Sequence, residues 1–278
     1  MSTWKTTPTR SIDVDGTSFA YRELGEPSGV PVVFLHHFTA VLDDWDPRII
    51  DGVAAHHHVI AFDNRGVGST GSRVPHDLEQ MGTDAIAFIR ALGYDEVDLF
   101  GFSLGGAVAQ MVALQAPDLV RRMVLAGTGP RGGGGIWKMP FIVGGAYAKA
   151  FAARKDPRHF LFFPRDAEGK RAAGEYFARL AERTADRSRP ISRQAAVAQL
   201  RAITAGGLHA PDDLSVIKAP VLVANGDHDL MVASEHSADM ARRFPDAKLI
   251  VYPNSGHGGV FQHHREFVPE VLAFLADR

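Results

Sequence analysis

The chain has no cysteine among its 278 residues, so it can form neither a disulfide nor a thiolate metal site. Cysteine nucleophiles are excluded for the same reason, and a reducing compartment is allowed. No apolar run is long enough to cross a bilayer, and the start of the chain lacks the apolar core of a signal peptide. We therefore predict a soluble, cytoplasmic protein that has no membrane partner.

The chain also has no large excess of positive or negative charge. The 30 Lys and Arg residues against 32 Asp and Glu residues leave a formal net charge of -2. Proteins that bind polyanions or acidic membranes usually carry a basic surplus, and this chain has none. Nucleic acid is therefore not an expected partner. The 45% of hydrophobic residues is enough to bury a substantial core.

Short runs rich in Val, Ile and Leu recur along the chain and end near Gly, Asp or Asn. Most are continuous rather than alternating, which is typical of parallel strands that are buried on both faces. Residues 77–93, 104–120 and 234–244 between them show helical periodicity. We predict an α/β fold with a mostly parallel central sheet flanked by helices. The predicted strands are "SFAYREL", "VPVVFLHHF", "HHVIAFDNRG", "EVDLFGFS", "VRRMVLAGTG", "APVLVANGD" and "AKLIVYPNSG".

The strand-like runs stop between about residues 129 and 207. This stretch begins with the Gly-rich "GPRGGGG" and continues as a helical pattern rich in Ala and Arg. We predict one domain over residues 1–278, with a helical cap inserted at about 129–207 between two strands of the sheet. The four glycines at 132–135 are either an ordinary loop or a hinge of that cap.

One serine, Ser103, lies between Gly101 and Gly105 in "GFSLG", after a strand-like run and before a helix-like one. A strand that turns at once into a helix strains the corner residue and pushes its hydroxyl outward. The first amides of the helix, including that of Leu104, then point toward the atom that the hydroxyl attacks. We predict that Ser103 is a nucleophile; the alternative is an ordinary N-capping serine.

A serine nucleophile requires a base and an acid that orients the base. His257 lies in a loop between Gly256 and Gly258 after the last predicted strand, and we predict that it is the base. Asp227 and Asp229 follow a late strand, and we favour Asp229 as the acid, with Asp227 as the alternative.

The remaining histidines fit a catalytic or metal-binding role less well. His56, His57 and His58 precede a strand, and three consecutive side chains diverge, so they form a poor metal site and are expected to be solvated. His263 and His264 fall in a helical pattern and are expected at the surface. We predict no metal site.

The segments "GFSLGG", "GDHD", "SGHGG" and "FDNRGVGST" resemble the α/β-hydrolase fold family over nearly the whole chain. The resemblance implies that the backbone amides of Phe38, in "VVFLHHFTA", and Leu104 form an oxyanion hole. His37 stands where the family usually has glycine, and its side chain is expected to line the pocket. The spacing of the acid loop also favours Asp229.

The resemblance implies a serine hydrolase that cleaves a small or medium carboxylic ester or lactone through an acyl-enzyme on Ser103, without a cofactor. A serine at the elbow argues against the aspartate-dependent dehalogenases and epoxide hydrolases of the family. Carbon-carbon bond hydrolysis, perhydrolysis, acyl transfer, cofactor-free oxygenation and a non-catalytic ligand-binding role remain as alternatives. The expected partner is a small-molecule substrate, and the sequence does not indicate an oligomeric state.

Several apolar residues offer a substrate pocket. Trp137 and Met139, like other apolar residues of the cap, either line the pocket or pack within the cap. Trp45 either contacts the pocket or packs in the core. The arginines of residues 178–193 have acidic neighbours and helical spacing, so we interpret them as a solvated face.

Overall fold

The computed structural model describes residues 3–276. Their strands form one eight-stranded sheet in the order β1-β2-β4-β3-β5-β6-β7-β8. The pairs β1–β2 and β2–β4 are antiparallel, and all other neighbouring strands are parallel. The predicted mostly parallel sheet is therefore confirmed. The strands are β1 (Arg10–Val14), β2 (Thr17–Leu24), β3 (Val32–Leu35), β4 (Val59–Phe62), β5 (Val97–Phe102), β6 (Val120–Ala126), β7 (Val221–Gly226) and β8 (Ala247–Tyr252).

Helices connect the parallel strands. Within the described residues they are α1 (Pro47–Ala54), α2 (Leu78–Ala91), α3 (Leu104–Gln115), α4 (Met139–Ala153), α5 (Arg158–Leu161), α6 (Ala167–Leu180), α7 (Arg193–Leu208), α8 (Ser234–Arg243), α9 (Gly259–Gln262) and α10 (His264–Ala276). No helix in this part of the chain is long and apolar enough to cross a membrane.

Burial explains which strands the sequence shows most clearly. All residues of β3, β4, β5 and β7 are buried, in keeping with their continuous apolar runs. The edge strand β1 was not among the predicted strands, because most of its side chains are exposed and the run is not apolar. The opposite edge, β8, is also largely exposed.

Aromatic rings fill the core on one side of the sheet. Phe34 and Phe100 are stacked with their ring centroids 4.5 Å apart. Trp45 packs edge-on against both, at 5.0 Å from Phe34 and 5.6 Å from Phe100, and only 2% of its surface is exposed. Of the two alternatives for Trp45, contact with the substrate pocket is therefore wrong and packing in the core is correct, because the indole is enclosed by core rings.

The helices α4 to α7 lie between β6 and β7, and buried ion pairs join them to the rest of the domain. Arg179 of α6 binds both carboxylate oxygens of Asp46, at 3.0 and 2.7 Å. Arg183 donates to the backbone carbonyls of Trp4 and Thr7, each at 2.9 Å. The expected solvated face is therefore wrong for Arg179 and Arg183, because their partners come from distant parts of the sequence.

His58 also departs from the expectation of a solvated side chain. It is buried directly before β4. Its Nδ1 lies 3.2 Å from the Tyr94 hydroxyl, and its Nε2 lies 3.4 Å from the Glu23 carboxylate. Its burial lowers the pKa of the imidazole. His56, two residues earlier, is exposed as expected.

Candidate active site

Ser103 occupies the corner between β5, which ends at Phe102, and α3, which begins at Leu104. Its backbone has φ 56° and ψ −115°, a conformation that costs energy for a residue with a side chain. The serine is therefore held in a strained turn at the carboxyl end of a central strand.

The two glycines of the motif are required because backbone approaches them closely. A Cβ added at Gly101 would lie 2.5 Å from the carbonyl oxygen of Gly105. A Cβ at Gly105 would overlap the carbonyl of Leu35 at the end of β3. Any larger residue at either position would move the turn that carries Ser103.

The structure brings Ser103, His257 and Asp229 together. Nε2 of His257 is 2.9 Å from Ser103 Oγ, and its Nδ1 is 2.7 Å from Asp229 Oδ2. The other oxygen of Asp229 accepts hydrogen bonds from the amides of Met231 and Val232, at 2.7 and 3.0 Å. Both oxygens of the carboxylate are therefore engaged, and the imidazole is oriented toward the serine.

Asp227, the alternative acid, does not contact the His257 ring. Its Oδ1 accepts from the amide of Ser255 at 3.1 Å and lies 4.0 Å from Nε2 of the exposed His228. Since Ser255 precedes His257 by two residues, Asp227 holds the loop that carries the histidine.

Aromatic side chains enclose the His257 ring, which is 1% exposed. Its centroid is 5.1 Å from that of Phe102 and 5.4 Å from that of Phe162. The carbonyl of Phe162 also accepts a hydrogen bond of 2.8 Å from the amide of Gly258. The segment between α5 and α6 thus restrains the base loop, a contact that sequence reasoning did not foresee.

The two backbone amides expected to form the oxyanion hole are those of Leu104 and Phe38. Leu104 is the first residue of α3, so its N–H is one of those that have no partner inside the helix. Phe38 follows β3 and, like Ser103, lines both cavities described below. The next residue, Thr39, has φ 65° and donates its amide to Gln199 Oε1 of α7 at 2.8 Å. Gln199 is a second contact that the sequence did not reveal.

His37 lines the larger of the two cavities at Ser103. Its Nδ1 donates to the carbonyl of Phe38 at 2.8 Å, so in the neutral ring Nε2 is the acceptor. Burial lowers the pKa of the imidazole to about 4, which keeps the ring neutral at pH 7. Within residues 3–276, Nε2 is buried and has no hydrogen-bond partner.

Two cavities meet at Ser103. The larger has a volume of about 430 Å³ and a wall rich in polar groups, and the narrower has a volume of about 40 Å³ and a mostly apolar wall. The larger wall includes His37, Asp43, Asp44, Tyr147, Asp156, Arg158, Phe162, Arg187, Ser188, Ile191 and His257. The narrower wall includes Leu78, Leu104, Ala107, Ile136, Met139, Ile203 and Val232.

The two other expected pocket residues differ in placement. Met139 is buried and lines the narrower cavity. Trp137 lines neither cavity: it is 41% exposed, and the Lys138 ammonium lies 5.6 Å from its ring centroid. The expected substrate contact of Trp137 is therefore wrong, because the ring faces outward from the short turn before α4. The part of the chain that the structure describes contains no group of three or more His, Asp or Glu side chains arranged to hold a metal ion.

A buried serine, histidine and aspartate at the carboxyl edge of a mostly parallel sheet have the arrangement of a serine hydrolase on an α/β scaffold. The chain belongs to the α/β hydrolase fold family, whose model matches residues 30–264.

Among its relatives, a non-heme chloroperoxidase of Streptomyces lividans is 30% identical, with 94% of this chain and 97% of that protein covered. A bifunctional esterase/perhydrolase of Acinetobacter calcoaceticus is 28% identical over the same shares of the two chains. A solved α/β hydrolase fold protein from Chitinophaga pinensis is 36% identical and covers both chains completely, with a TM-score of 0.95.

Proposed function

We propose that the protein is a serine hydrolase that cleaves a small or medium carboxylic ester or lactone through an acyl-enzyme on Ser103. The observation that carries this proposal is the hydrogen-bonded series from Ser103 Oγ to His257 Nε2, at 2.9 Å, and from His257 Nδ1 to Asp229 Oδ2, at 2.7 Å. These distances allow proton transfer from the serine with no further movement of the chain.

In this mechanism His257 accepts the hydroxyl proton while Ser103 Oγ bonds to the carbonyl carbon of the substrate. Asp229 stabilises the imidazolium that forms. The bond to the leaving oxygen then breaks, and that oxygen takes the proton from His257. A water molecule, deprotonated by His257, attacks the acyl-enzyme, and the carboxylic acid departs as Ser103 regains its proton.

In each step, the backbone amides of Phe38 and Leu104 donate hydrogen bonds to the carbonyl oxygen and stabilise its negative charge. Each such donor contributes about 3 kcal/mol of transition-state stabilisation in comparable sites. The strained turn at Ser103 and the loop held by Gln199 keep both amides in place before the substrate arrives.

Perhydrolysis is a second candidate on the same acyl-enzyme, with hydrogen peroxide replacing water and a peracid as the product. It is favoured by the likeness to the bifunctional esterase/perhydrolase of Acinetobacter calcoaceticus. Both activities depend on Ser103. Cofactor-free oxygenation does not require the serine, and a ligand-binding role requires none of the three side chains.

The test is a panel of chromogenic esters and lactones assayed with the wild type and with Ser103→Ala. The exposed Ser28 provides the matched control, Ser28→Ala. We expect turnover and labelling by an organophosphonate in the wild type and the control, and loss of both in Ser103→Ala. Ester turnover or labelling that survives in Ser103→Ala contradicts the proposal, as does oxygen consumption with an aromatic substrate that is independent of Ser103.

A further inference from the structure

The two cavities at Ser103 differ in size and chemistry and share few lining residues, Phe38, Ser103 and Met231 among them. We propose that they divide the substrate: the narrow cavity takes a short apolar acyl chain, and the larger cavity takes a polar, uncharged leaving group. The preferred substrates are then open-chain esters of short acids with hydroxylated alcohols. This inference rests on the proposed acyl-enzyme at Ser103.

The position of His257 determines which cavity binds the acyl chain and which binds the leaving group. The leaving oxygen must receive the proton that His257 took from Ser103, so it must lie beside Nε2. His257 lines the larger cavity and is not part of the narrow one, which instead runs past Leu104 and along α3. The leaving group therefore departs through the larger cavity, and the hydrolytic water enters by the same route.

The wall of the narrow cavity sets the nature of the acyl chain. Ala107, Ile136, Met139 and Ile203 present hydrocarbon to a space of about 40 Å³. An apolar cavity of about 150 Å³ accommodates a benzene molecule, so a cavity of this smaller size admits only a chain of roughly two or three carbons beyond the carbonyl. Longer chains require the wall to move.

The wall of the larger cavity contains polar atoms that lack a partner. Within the described part of the chain, His37 Nε2 and Ser188 Oγ are both buried with no hydrogen-bond partner. His37 and Ser188 both line the cavity, so a leaving-group hydroxyl that reaches either atom supplies the hydrogen bond it lacks, worth about 1–3 kcal/mol. His37 Nε2 accepts from such a hydroxyl, and Ser188 can donate or accept.

The charged groups of this wall already neutralise one another. Arg158 lies 2.5 Å from Asp44 and 2.9 Å from Asp156, and Arg187 lies 3.3 Å from Asp43. A charged leaving group would have to compete with these pairs, so the cavity favours an uncharged polar one. A small unsubstituted lactone fits less well, because its ring joins the acyl chain and the leaving oxygen and cannot place them in separate cavities.

The test measures kcat/KM for glyceryl and propyl esters of acetic, butyric, hexanoic and octanoic acid, together with γ-butyrolactone. We expect a fall of at least about tenfold from butyrate to octanoate, and a preference of about tenfold for glyceryl over propyl acetate. Labelling rates with p-nitrophenyl alkylphosphonates, from methyl to hexyl, test the narrow cavity without turnover, and the methyl compound should react fastest.

Two matched variants separate the cavities. Ile203→Ala enlarges the narrow cavity and should raise the hexanoate-to-acetate ratio about tenfold. Ile191→Ala removes the same atoms from the larger cavity and should leave that ratio unchanged. Ser188→Ala should reduce the preference for glyceryl over propyl acetate without changing the acyl-length profile.

Failure of this division is distinguishable from failure of the proposed function. Ester turnover that depends on Ser103 supports the proposed function. The division of the substrate is nevertheless overturned if that enzyme prefers octanoate, is labelled fastest by the hexyl phosphonate, or responds equally to Ile203→Ala and Ile191→Ala. A wild type that hydrolyses no ester, or one whose turnover survives Ser103→Ala, contradicts the proposed function and the division with it.

Discussion

Asp229 lies with Oδ2 at 2.7 Å from Nδ1 of His257, while its Oδ1 is held by two backbone amides. The carboxylate thus fixes both the tautomer and the direction of the imidazole. Asp229→Asn places an amide at this position, and a donor facing Nδ1 favours the wrong tautomer. We expect a loss of about 10⁴-fold in kcat for ester hydrolysis, measured on purified protein by steady-state kinetics.

Asp227→Asn is the matched control for this prediction, since Asp227 lies two residues away and bonds the amide of Ser255. An Asn side-chain oxygen can still accept that hydrogen bond. We expect kcat to stay within about tenfold of the wild type, because only the base loop is affected. A larger loss in Asp227→Asn than in Asp229→Asn would reverse the assignment of the acid.

The oxyanion loop depends on a side chain far along the sequence, Gln199, which accepts the amide hydrogen of Thr39 at 2.8 Å. Gln199→Met keeps the length of the side chain and removes the acceptor, so the loop that carries the Phe38 amide is released. We expect kcat to fall by about 10- to 100-fold with little change in KM, since the lost interaction acts on the oxyanion. Gln194→Met, at an exposed position of the same helix, should behave as the wild type.

The Arg179–Asp46 pair joins α6 to the segment before α1 and is almost completely buried. Arg179→Met leaves the Asp46 carboxylate buried without its partner. We expect the free energy of unfolding to fall by about 3 kcal/mol, measured by urea denaturation.

Arg171→Met provides the comparison on the same helix. Arg171 forms an exposed ion pair with Glu175 at 3.2 Å, and exposed pairs contribute little. The free energy of unfolding should change by less than about 1 kcal/mol. Equal effects of the two substitutions would show that the buried pair does not anchor α6.

His37 makes folding stability depend on pH. Burial holds its pKa at about 4 in the folded protein, below the ordinary value of 6.5. As the pH falls from 6.5 toward 4, the unfolded chain binds a proton at this residue and the folded protein does not. The free energy of unfolding therefore decreases with falling pH, at most by about 1.4 kcal/mol per pH unit for this group.

The His37→Asn variant isolates this effect, because its side-chain amide can still donate to the Phe38 carbonyl. We expect its free energy of unfolding to decline less steeply than that of the wild type between about pH 6.5 and pH 4. Urea denaturation at several pH values measures both slopes. His56→Asn, at an exposed position, serves as the control, and parallel slopes for the wild type and His37→Asn would contradict the prediction.

The sequence indicated the architecture well wherever burial leaves a continuous apolar run. The runs that became β2 to β8 were predicted as strands, and the periodic stretches that became α2, α3 and α8 were predicted as helices. The edge strand β1 and the short helix α1 were not predicted, because neither has a pattern strong enough to identify it alone.

The candidate site, like the fold, was predictable from the sequence only in part. Ser103, Asp229 and His257 were identifiable because each lies in a short loop directly after a strand, with glycines or a fixed spacing around it. The pocket wall was identified only in part: His37 and Met139 line the cavities, Trp45 and Trp137 do not, and Arg158 and Ser188 form part of the wall without having been singled out. Apolarity alone does not tell whether a side chain faces a cavity, the core or the solvent.

By itself, the sequence determined the parallel sheet and the order of the nucleophile, acid and base along it, since strand burial and tight turns leave local patterns. Tertiary structure alone decided that Gln199 holds the Phe38 loop, that Arg158 and Ser188 form part of the pocket wall, and that two unlike cavities meet at Ser103. These are contacts between segments far apart in the chain. Their geometry depends on how helices pack against the sheet, which no local pattern records.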